Sequence, residues 1–248
     1  NKNKTLSMKT KKYGLMMLAL FVLGIIPMSL FGSYHDLTSQ VPESLGITFT
    51  LLTDSAGSKG FLITLTLLLL SLFRFKPSRT EWMQKLSMLG LLLVIGFASK
   101  TGLKLMTESP RPYTELLAAE QLIETPETFY QLDTKQQANV INQISEQVSD
   151  WRTRHWQGEK DYSFPSGHTI FVSICLAFFG GLFLQNKYYI SALSLWMWGM
   201  SIAYSRLWLG MHRPEDLIGS VLFVAIVFTL LPTFQIKKQM PFVSLASR

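Results

Sequence analysis

The chain has 248 residues, of which 48% are hydrophobic and only 16% charged, with a mean hydropathy of +0.24 and a formal net charge of +7. A soluble domain of this length carries about a quarter charged residues, so the composition excludes an ordinary soluble globule and points to a lipid environment. A single cysteine, Cys175, set in an apolar run, excludes an intramolecular disulfide and argues against redox chemistry.

Six apolar runs approach the roughly 20 residues needed to cross a bilayer. They lie near 14–32, 60–75, 86–106, 166–184, 190–210 and 217–235. The first follows Lys2, Lys4, Lys9, Lys11 and Lys12. It is longer than the apolar part of a signal peptide and no A-x-A-like site follows it, so it reads as a retained anchor. Residues 33–59 form an outer loop in which "PESLGITFTLL" suits an interfacial helix. The second run, "GFLITLTLLLLSLFRF", is short and is expected to begin a few residues earlier. The third closes on "KTGLKLMTESPRPY" and leads into the one sizeable polar stretch, 107–163, where apolar residues at three- and four-residue steps predict one or two short helices over the outer face. The fourth opens on "FPSGH". The fifth carries "LWMWGM", whose Trp196 and Trp198 are expected to pack inside a helix bundle.

Six spans put both termini on one side, with the loops near 75–85 and 185–189. That side collects the N-terminal lysines with Arg74, Lys76, Arg79, Lys85, Lys187, Lys237, Lys238 and Arg248, against Glu81 alone. By the positive-inside rule the termini are cytoplasmic. The positive charge is therefore topological, and no nucleic-acid partner is expected. The predicted fold is all-α: an integral six-helix membrane bundle, one domain over 1–248, with a small helical periplasmic insert at 107–163.

Ionisable residues at span ends are costly and usually functional. Four groups of them fall on the same outer side: Lys104 and Arg111 after the third run, Ser166, Gly167 and His168 at the start of the fourth, Arg206 late in the fifth, and His212 with Asp216 before the sixth. Three cations, two imidazoles and a carboxylate are the inventory of phosphoryl transfer, where positioning and charge stabilisation dominate. Arginine forks match phosphate oxygens and lysine supplies a point charge. Ser166 can donate its hydroxyl, and the first N–H groups of the fourth span can bind an anion. One histidine can attack phosphorus while the other protonates the departing oxygen. His212 and Asp216 lie one helical turn apart, so the carboxylate can fix the imidazole tautomer. The same pair resembles a metal-ligand pair, but the three nearby cations would repel a divalent ion, so no metal and no cofactor is expected.

With these residues in place, the chain resembles the type 2 phosphatidic acid phosphatase (PAP2) superfamily. That family's motifs K-x6-R-P, P-S-G-H and S-R-x5-H-x3-D occur here in order, at Lys104–Pro112, Pro165–His168 and Ser205–Asp216. The resemblance implies His212 as the nucleophile that forms a phosphohistidine, Asp216 as its orienting partner and His168 as the acid for the leaving group. It implies Lys104, Arg111, Ser166, Gly167 and Arg206 as the phosphate-binding set, without metal. The six-run layout and the insert ending "RHWQGEKDYSFPSGH" look most like the bacterial membrane-bound phosphatidylglycerophosphatases. This implies an inner-membrane enzyme acting on phosphatidylglycerophosphate, with phosphatidic acid and undecaprenyl pyrophosphate as further lipid substrates.

Plainer readings stand beside these. Lys104 and Arg111 could be snorkelling residues; "PSGH" could be a helix start capped by Ser166; Arg206, and the His212–Asp216 pair, could be structural. Lys100 reads as positional, and Arg152, Arg154, His155 and Lys160 as a solvated basic loop, with a lipid's second phosphate as the alternative. His35 and Arg213 give no signal, and Cys175 reads as packing. A lipid phosphotransferase on the same site and a non-catalytic lipid-phosphate binder or transporter remain open.

Overall fold

The computed structural model describes residues 2–32 and 36–232. His35, Lys237, Lys238, Arg248 and the end of the sixth apolar run lie outside the described residues, as do the side chains of Lys2, Lys4 and Lys9. Every regular element among the described residues is helical. In chain order these are α1 (Lys2–Gly32), α2 (Glu43–Ala56), α3 (Phe61–Ser71) with a 3-10 turn Leu72–Phe75, and α4 (Arg79–Thr107). Next come α5 (Pro112–Ala119), a 3-10 segment Pro126–Gln131, α6 (Thr134–Ile144) and α7 (Asp150–Gly158). α8 (Gly167–Cys175) continues through a π-helical turn, Leu176–Gly180, into α9 (Gly181–Gln185), and α10 (Tyr189–Trp208) and α11 (Pro214–Leu230) complete the fold.

Local signals explain the boundaries. The Ser78 hydroxyl accepts from the Glu81 amide while the Glu81 carboxylate accepts from the Ser78 amide, a reciprocal cap that starts α4. Asp133 with Gln136 starts α6 in the same way, and Ser149 caps α7. Proline opens α5 and α11 at positions where its missing N–H costs nothing. These repeated starts explain why the polar insert holds three α-helices and a 3-10 segment, more than the one or two predicted.

Among the described residues, three helical stretches are long and apolar enough to cross a membrane: Lys11–Met28 of α1, the stretch containing α4, and Gly167–Gln185. The second predicted run differs from expectation. α3 has only 11 residues, too few to span alone, and α2 meets it at a 67° bend. The Gly167–Gln185 stretch is the axis of the bundle: 83% of its apolar window is buried, against 28% for α1 and 17% for α4. α1, α4, α10 and α11 pack around it. α1 approaches α9 so closely that a Cβ on Gly181 would lie 2.8 Å from the Gly14 amide nitrogen. Such close packing of small residues suits helices in lipid, where burial of apolar surface supplies little drive. Trp196 and Trp198 pack partly buried against the bundle core, and the Trp198 indole donates to Ser55 Oγ at 2.9 Å. Leu23, Ile63, Leu67, Val94, Ile190 and Ile226 face outward, an apolar exterior that fits lipid rather than water.

A second core sits at one end of the bundle. Tyr113, Leu117, Phe129, Ile141, Ile144 and Trp156 of the insert pack with Phe49 of α2, with Trp208 at the end of α10 and with Leu209 and Met211 beyond it. Polar contacts tighten the same junction. The Trp156 indole donates to Leu209 O at 2.7 Å, the Tyr113 amide to Gly210 O at 3.0 Å and Arg152 Nε to Trp208 O at 3.2 Å. The Arg152 guanidinium also stacks on the Trp208 ring at 4.3 Å. The insert thus holds the backbone of the turn that carries His212. Arg152 and His155, read from sequence as parts of a solvated basic loop, are buried in this junction instead.

Gly210 makes the turn possible. Its φ is +68°, and a Cβ there would meet the Leu37 side chain at 2.8 Å. A non-glycine residue in this conformation costs roughly 1–3 kcal/mol. Gly210→Ala is therefore expected to lower the thermal midpoint in detergent by a few degrees and to reduce turnover by displacing His212. A variant with an unchanged midpoint and unchanged turnover would show that the turn does not depend on this conformation.

Candidate active site

The ends of five helices meet where the insert joins the bundle. The last turn of α4 brings Lys104, the start of α5 brings Arg111, and the start of α8 brings Ser166, Gly167 and His168. The last turn of α10 brings Arg206, and the turn into α11 brings His212 and Asp216. The structure gathers these predicted residues into one connected group.

The Arg111 guanidinium is its hub. Arg111 is fully buried; its Nη1 donates to Met211 O at 3.0 Å and contacts His212 Nε2 at 3.2 Å. A guanidinium has no acceptor, so Nε2 must present its lone pair, and the proton of the neutral ring sits on Nδ1. Nδ1 faces Ser163 Oγ at 3.3 Å and Asp216 Oδ2 at 3.6 Å. Ser163 in turn donates to Asp216 Oδ2 at 2.5 Å, and the same oxygen accepts from the Arg213 amide at 2.9 Å. Nδ1–H can therefore donate to Ser163, which passes its own proton's bond to the carboxylate. Burial pushes the His212 imidazole down to about 3, with Arg111 and Arg206 adding to it against the pull of Asp216. The ring is neutral near pH 7, and its unprotonated nitrogen points at the cations.

Those cations hold carboxylates that the sequence reading did not single out. Arg206 Nη2 donates to both oxygens of Glu159, at 2.9 and 2.8 Å, and Arg111 Nη2 reaches the same carboxylate at 3.3 Å. Arg111 Nη2 also pairs with Asp161 at 2.7 Å, and Lys104 Nζ pairs with Asp161 at 2.9 Å while donating to Tyr162 O. Burial would raise the Glu159 carboxyl, but its cationic neighbours, Arg206 foremost, outweigh that and hold it well below the usual carboxylate range. Two oxygens spanning two buried guanidinia have the shape of part of a phosphate group. Arg206 is anchored on its other arm by Thr53 at 2.9 Å. Its Nε is buried without a hydrogen-bond partner among the described residues, a donor that one more anionic oxygen would satisfy.

Ser166 is the N-cap of α8. Its hydroxyl accepts from the Thr169 amide at 3.2 Å and the Thr169 hydroxyl at 3.0 Å, and its amide donates to Ser220 Oγ at 2.9 Å. The plainer reading of "PSGH" is thus true of Ser166, and it leaves the seryl proton free to donate. His168 lines a cavity of about 530 Å³ with Lys104, Glu159 and Asp161, walled by Phe61 of α3 and Phe97 of α4. It lies within electrostatic reach of Arg206, Glu159, His212 and Arg111. Gly57, in the turn between α2 and α3, backs directly onto its ring: a Cβ there would sit 2.7 Å from Nε2. Among the described residues no three of His, Cys, Asp and Glu converge as a metal-ligand set.

Glu159, Asp161, Ser163, Thr53 and Gly57 are the site-forming residues that spacing alone did not reveal. Only Ser163 carries a local signal, standing two residues before the P-S-G-H motif.

Ser163→Ala is expected to lower kcat about ten- to hundredfold, the loss of one charge-assisted hydrogen bond of about 1.5–3 kcal/mol. KM should change little, and Ser163→Thr should restore part of the rate; equal rates in wild type and Ser163→Ala would remove the serine from the relay. The acid limb of kcat/KM is expected well below pH 6, because the free enzyme's imidazole titrates low. A limb near the ordinary histidine value would contradict the buried neutral ring. His155, whose burial pushes it down to about 4, behaves alike. Both rings bind protons more weakly folded than unfolded, so stability is full above about 6.5 and is lost as pH falls towards 4 and 3. Thermal midpoints at pH 7 and pH 5 measure this, the lower pH giving the lower midpoint.

The similarities to known proteins agree with this geometry. Residues 84–240 match the PAP2 superfamily. Phosphatidylglycerophosphatase B of Haemophilus influenzae is 34% identical over 197 residues, covering 76% of this chain and 81% of that protein. Phosphatidylglycerophosphatase B of Escherichia coli K12 is 30% identical over 139 residues, covering 55% of this chain and 54% of that protein. With the superfamily match spanning more than half its length and the cation–imidazole cluster lying inside the matched region, this chain is a phosphatase belonging to the PAP2 superfamily.

Proposed function

We propose that the chain is a metal-independent lipid phosphate phosphatase that removes the terminal phosphate of phosphatidylglycerophosphate, and acts also on phosphatidic acid and undecaprenyl pyrophosphate. The observation that carries this reading is the Glu159 carboxylate held across Arg206 and Arg111, with the lone pair of His212 Nε2 against the same Arg111. A phosphoryl group entering there would exchange with Glu159 and meet Arg111, Arg206, Lys104 and the start of α8. The names of the Haemophilus influenzae and Escherichia coli relatives support the choice of phosphatidylglycerophosphate.

The chemistry follows from the groups in place. His212 Nε2 attacks phosphorus, the bond from phosphorus to the lipid oxygen breaks, and His168 delivers a proton to that oxygen. Asp216 and Ser163 hold the ring and stabilise the positive charge it gains. The free lipid alcohol leaves. Neutral His168 then takes a proton from water, whose oxygen attacks the phosphohistidine, and inorganic phosphate departs with His212 neutral again. The three cations stabilise the charge on the phosphoryl oxygens throughout and would repel a divalent ion.

In the membrane, the chain is read as six spans with both termini cytoplasmic and the site at the periplasmic face of the inner membrane. Phe61 and Phe97 flank the His168 cavity, so acyl chains enter laterally between α3 and α4 while the phosphate rises to His212. Equal activity on short soluble phosphate esters and long-chain lipid phosphates would argue against that route.

His212→Ala is expected to abolish phosphate release from phosphatidylglycerophosphate, a loss of at least about a thousandfold, while substrate binding persists. Full function in that variant would instead favour a lipid-phosphate binder, and transfer of phosphate to added alcohols in place of water would favour a phosphotransferase. Vanadate should inhibit and EDTA should not; sensitivity to EDTA would reopen metal participation.

A further inference from the structure

Arg213 gives no signal in the sequence, since it stands at the first free position of the H-x3-D step, yet the fold bonds it at three points. Its amide donates to Asp216 Oδ2 at 2.9 Å. Its guanidinium forks, with Nη1 donating to Pro110 O at 2.6 Å and Nη2 to Glu115 Oε1. Pro110 immediately precedes Arg111, and Glu115 lies in the first turn of α5. One side chain thus ties the turn that carries His212 to the segment that presents Arg111.

These bonds close a loop. From His212 the chain passes to Arg213, across its guanidinium to Pro110 and along one peptide to Arg111, whose Nη1 returns to His212 Nε2 at 3.2 Å. Two other bonds join the same segments, from the Tyr113 amide to Gly210 O and from Arg111 Nη1 to Met211 O, both at 3.0 Å. Both grip the turn before His212, whereas Arg213 grips it after. A turn held on one side of the imidazole can pivot; a turn held on both sides fixes the distance from imidazole to guanidinium.

Neither ion pairing nor substrate contact accounts for Arg213. Its side chain is 27% exposed and that of Glu115 61%, and an ion pair so open to water contributes little by its charge. The planar fork matters more, because it meets a carbonyl and a carboxylate together in a way that a lysine ammonium does not reproduce. Arg213 is also absent from the lining of the cavity of about 530 Å³ that holds His168, Lys104 and Glu159. It borders a different one, of about 730 Å³, beside the carboxylates of Asp36, Glu115 and Glu215, which do not suit an anionic substrate.

We propose that Arg213 is a positioning residue, which holds the His212 imidazole at attacking distance from the phosphate seat by clamping its turn to Pro110 and Glu115. This rests on the reading of His212 as the nucleophile. A misplacement of reacting groups by about 1 Å costs about a hundredfold in rate, so a clamp acting at this distance shows itself in kcat and in any inhibitor that must bond to Nε2.

The test compares purified full-length wild type, Arg213→Met, Arg213→Lys and Glu115→Gln in detergent, with phosphatidylglycerophosphate as substrate and with vanadate and inorganic phosphate as inhibitors. Vanadate needs a bond from His212 Nε2 as well as the cations, whereas inorganic phosphate needs the cations alone. Wild type should bind vanadate at least about tenfold more tightly than phosphate. In Arg213→Met, kcat should fall about ten- to hundredfold, KM should stay within about twofold, and the preference for vanadate should fall about tenfold. Arg213→Lys, which keeps one arm of the clamp, should recover part of both losses. A lower thermal midpoint with kcat and the vanadate preference unchanged would make Arg213 a stability contact and overturn the proposal. A raised KM with unchanged kcat would overturn it too, by placing Arg213 against substrate. Should Arg213→Met fail to fold, Arg213→Lys and Glu115→Gln decide: each should lower kcat and the vanadate preference together by about two- to fivefold, and wild-type values in both overturn the clamp. No vanadate preference in wild type would defeat the phosphohistidine reading itself, whereas a wild-type preference retained in full by Arg213→Met defeats the clamp alone.

Discussion

Buried like charge is the constraint from which the rest of the structure follows. Arg111 and Arg206 are withdrawn from solvent almost completely and Lys104 nearly so, close enough to share two carboxylates between them. Such a group is strongly unfavourable without an anion, because burial removes the water that would screen it. Glu159 and Asp161 supply that anion from the segment between α7 and α8. Their charge also holds the three cations together. The geometry therefore answers two needs with one arrangement: a fold that tolerates clustered cations, and a seat already shaped for anionic oxygen.

The insert has a mechanical part in this. Its apolar core does more than cover one end of the bundle, since Trp156, Tyr113 and Arg152 all bond to carbonyls within residues 208–210. Those residues lead directly to His212. An imidazole on a free turn would sample many orientations, whereas here the turn is tied at three successive carbonyls and at Met211 O by Arg111. The orientation of the imidazole is thus set by a separate small core, built from residues as far back in the chain as Phe49.

How much of this could be read from sequence depends on the range of the interactions. The apolar runs and the His212–Asp216 step are local patterns, and each left a trace in spacing; the cations at helix ends stood out because charge is rare there. The helical character of the chain was legible for the same reason, although α3 proved too short to stand as a span by itself. Glu159 and Asp161 could not be picked out, because an acidic residue in a polar insert looks the same whether it faces water or a guanidinium 47 to 50 positions away. Arg152 and His155 were misread for the converse reason: their neighbours pointed to solvent, while Trp208 and Thr50, which bury them, lie far off in the chain. Gly57 gave no signal, since its importance lies in a ring more than a hundred residues downstream.

The division into two cores has a consequence for the turn before α11. The groups that tie it, Trp156, Tyr113 and Arg152, lie in the insert and not in the bundle core. The bearing of the His212 ring is therefore set from outside the bundle, and a change confined to the insert can alter it without touching a core helix.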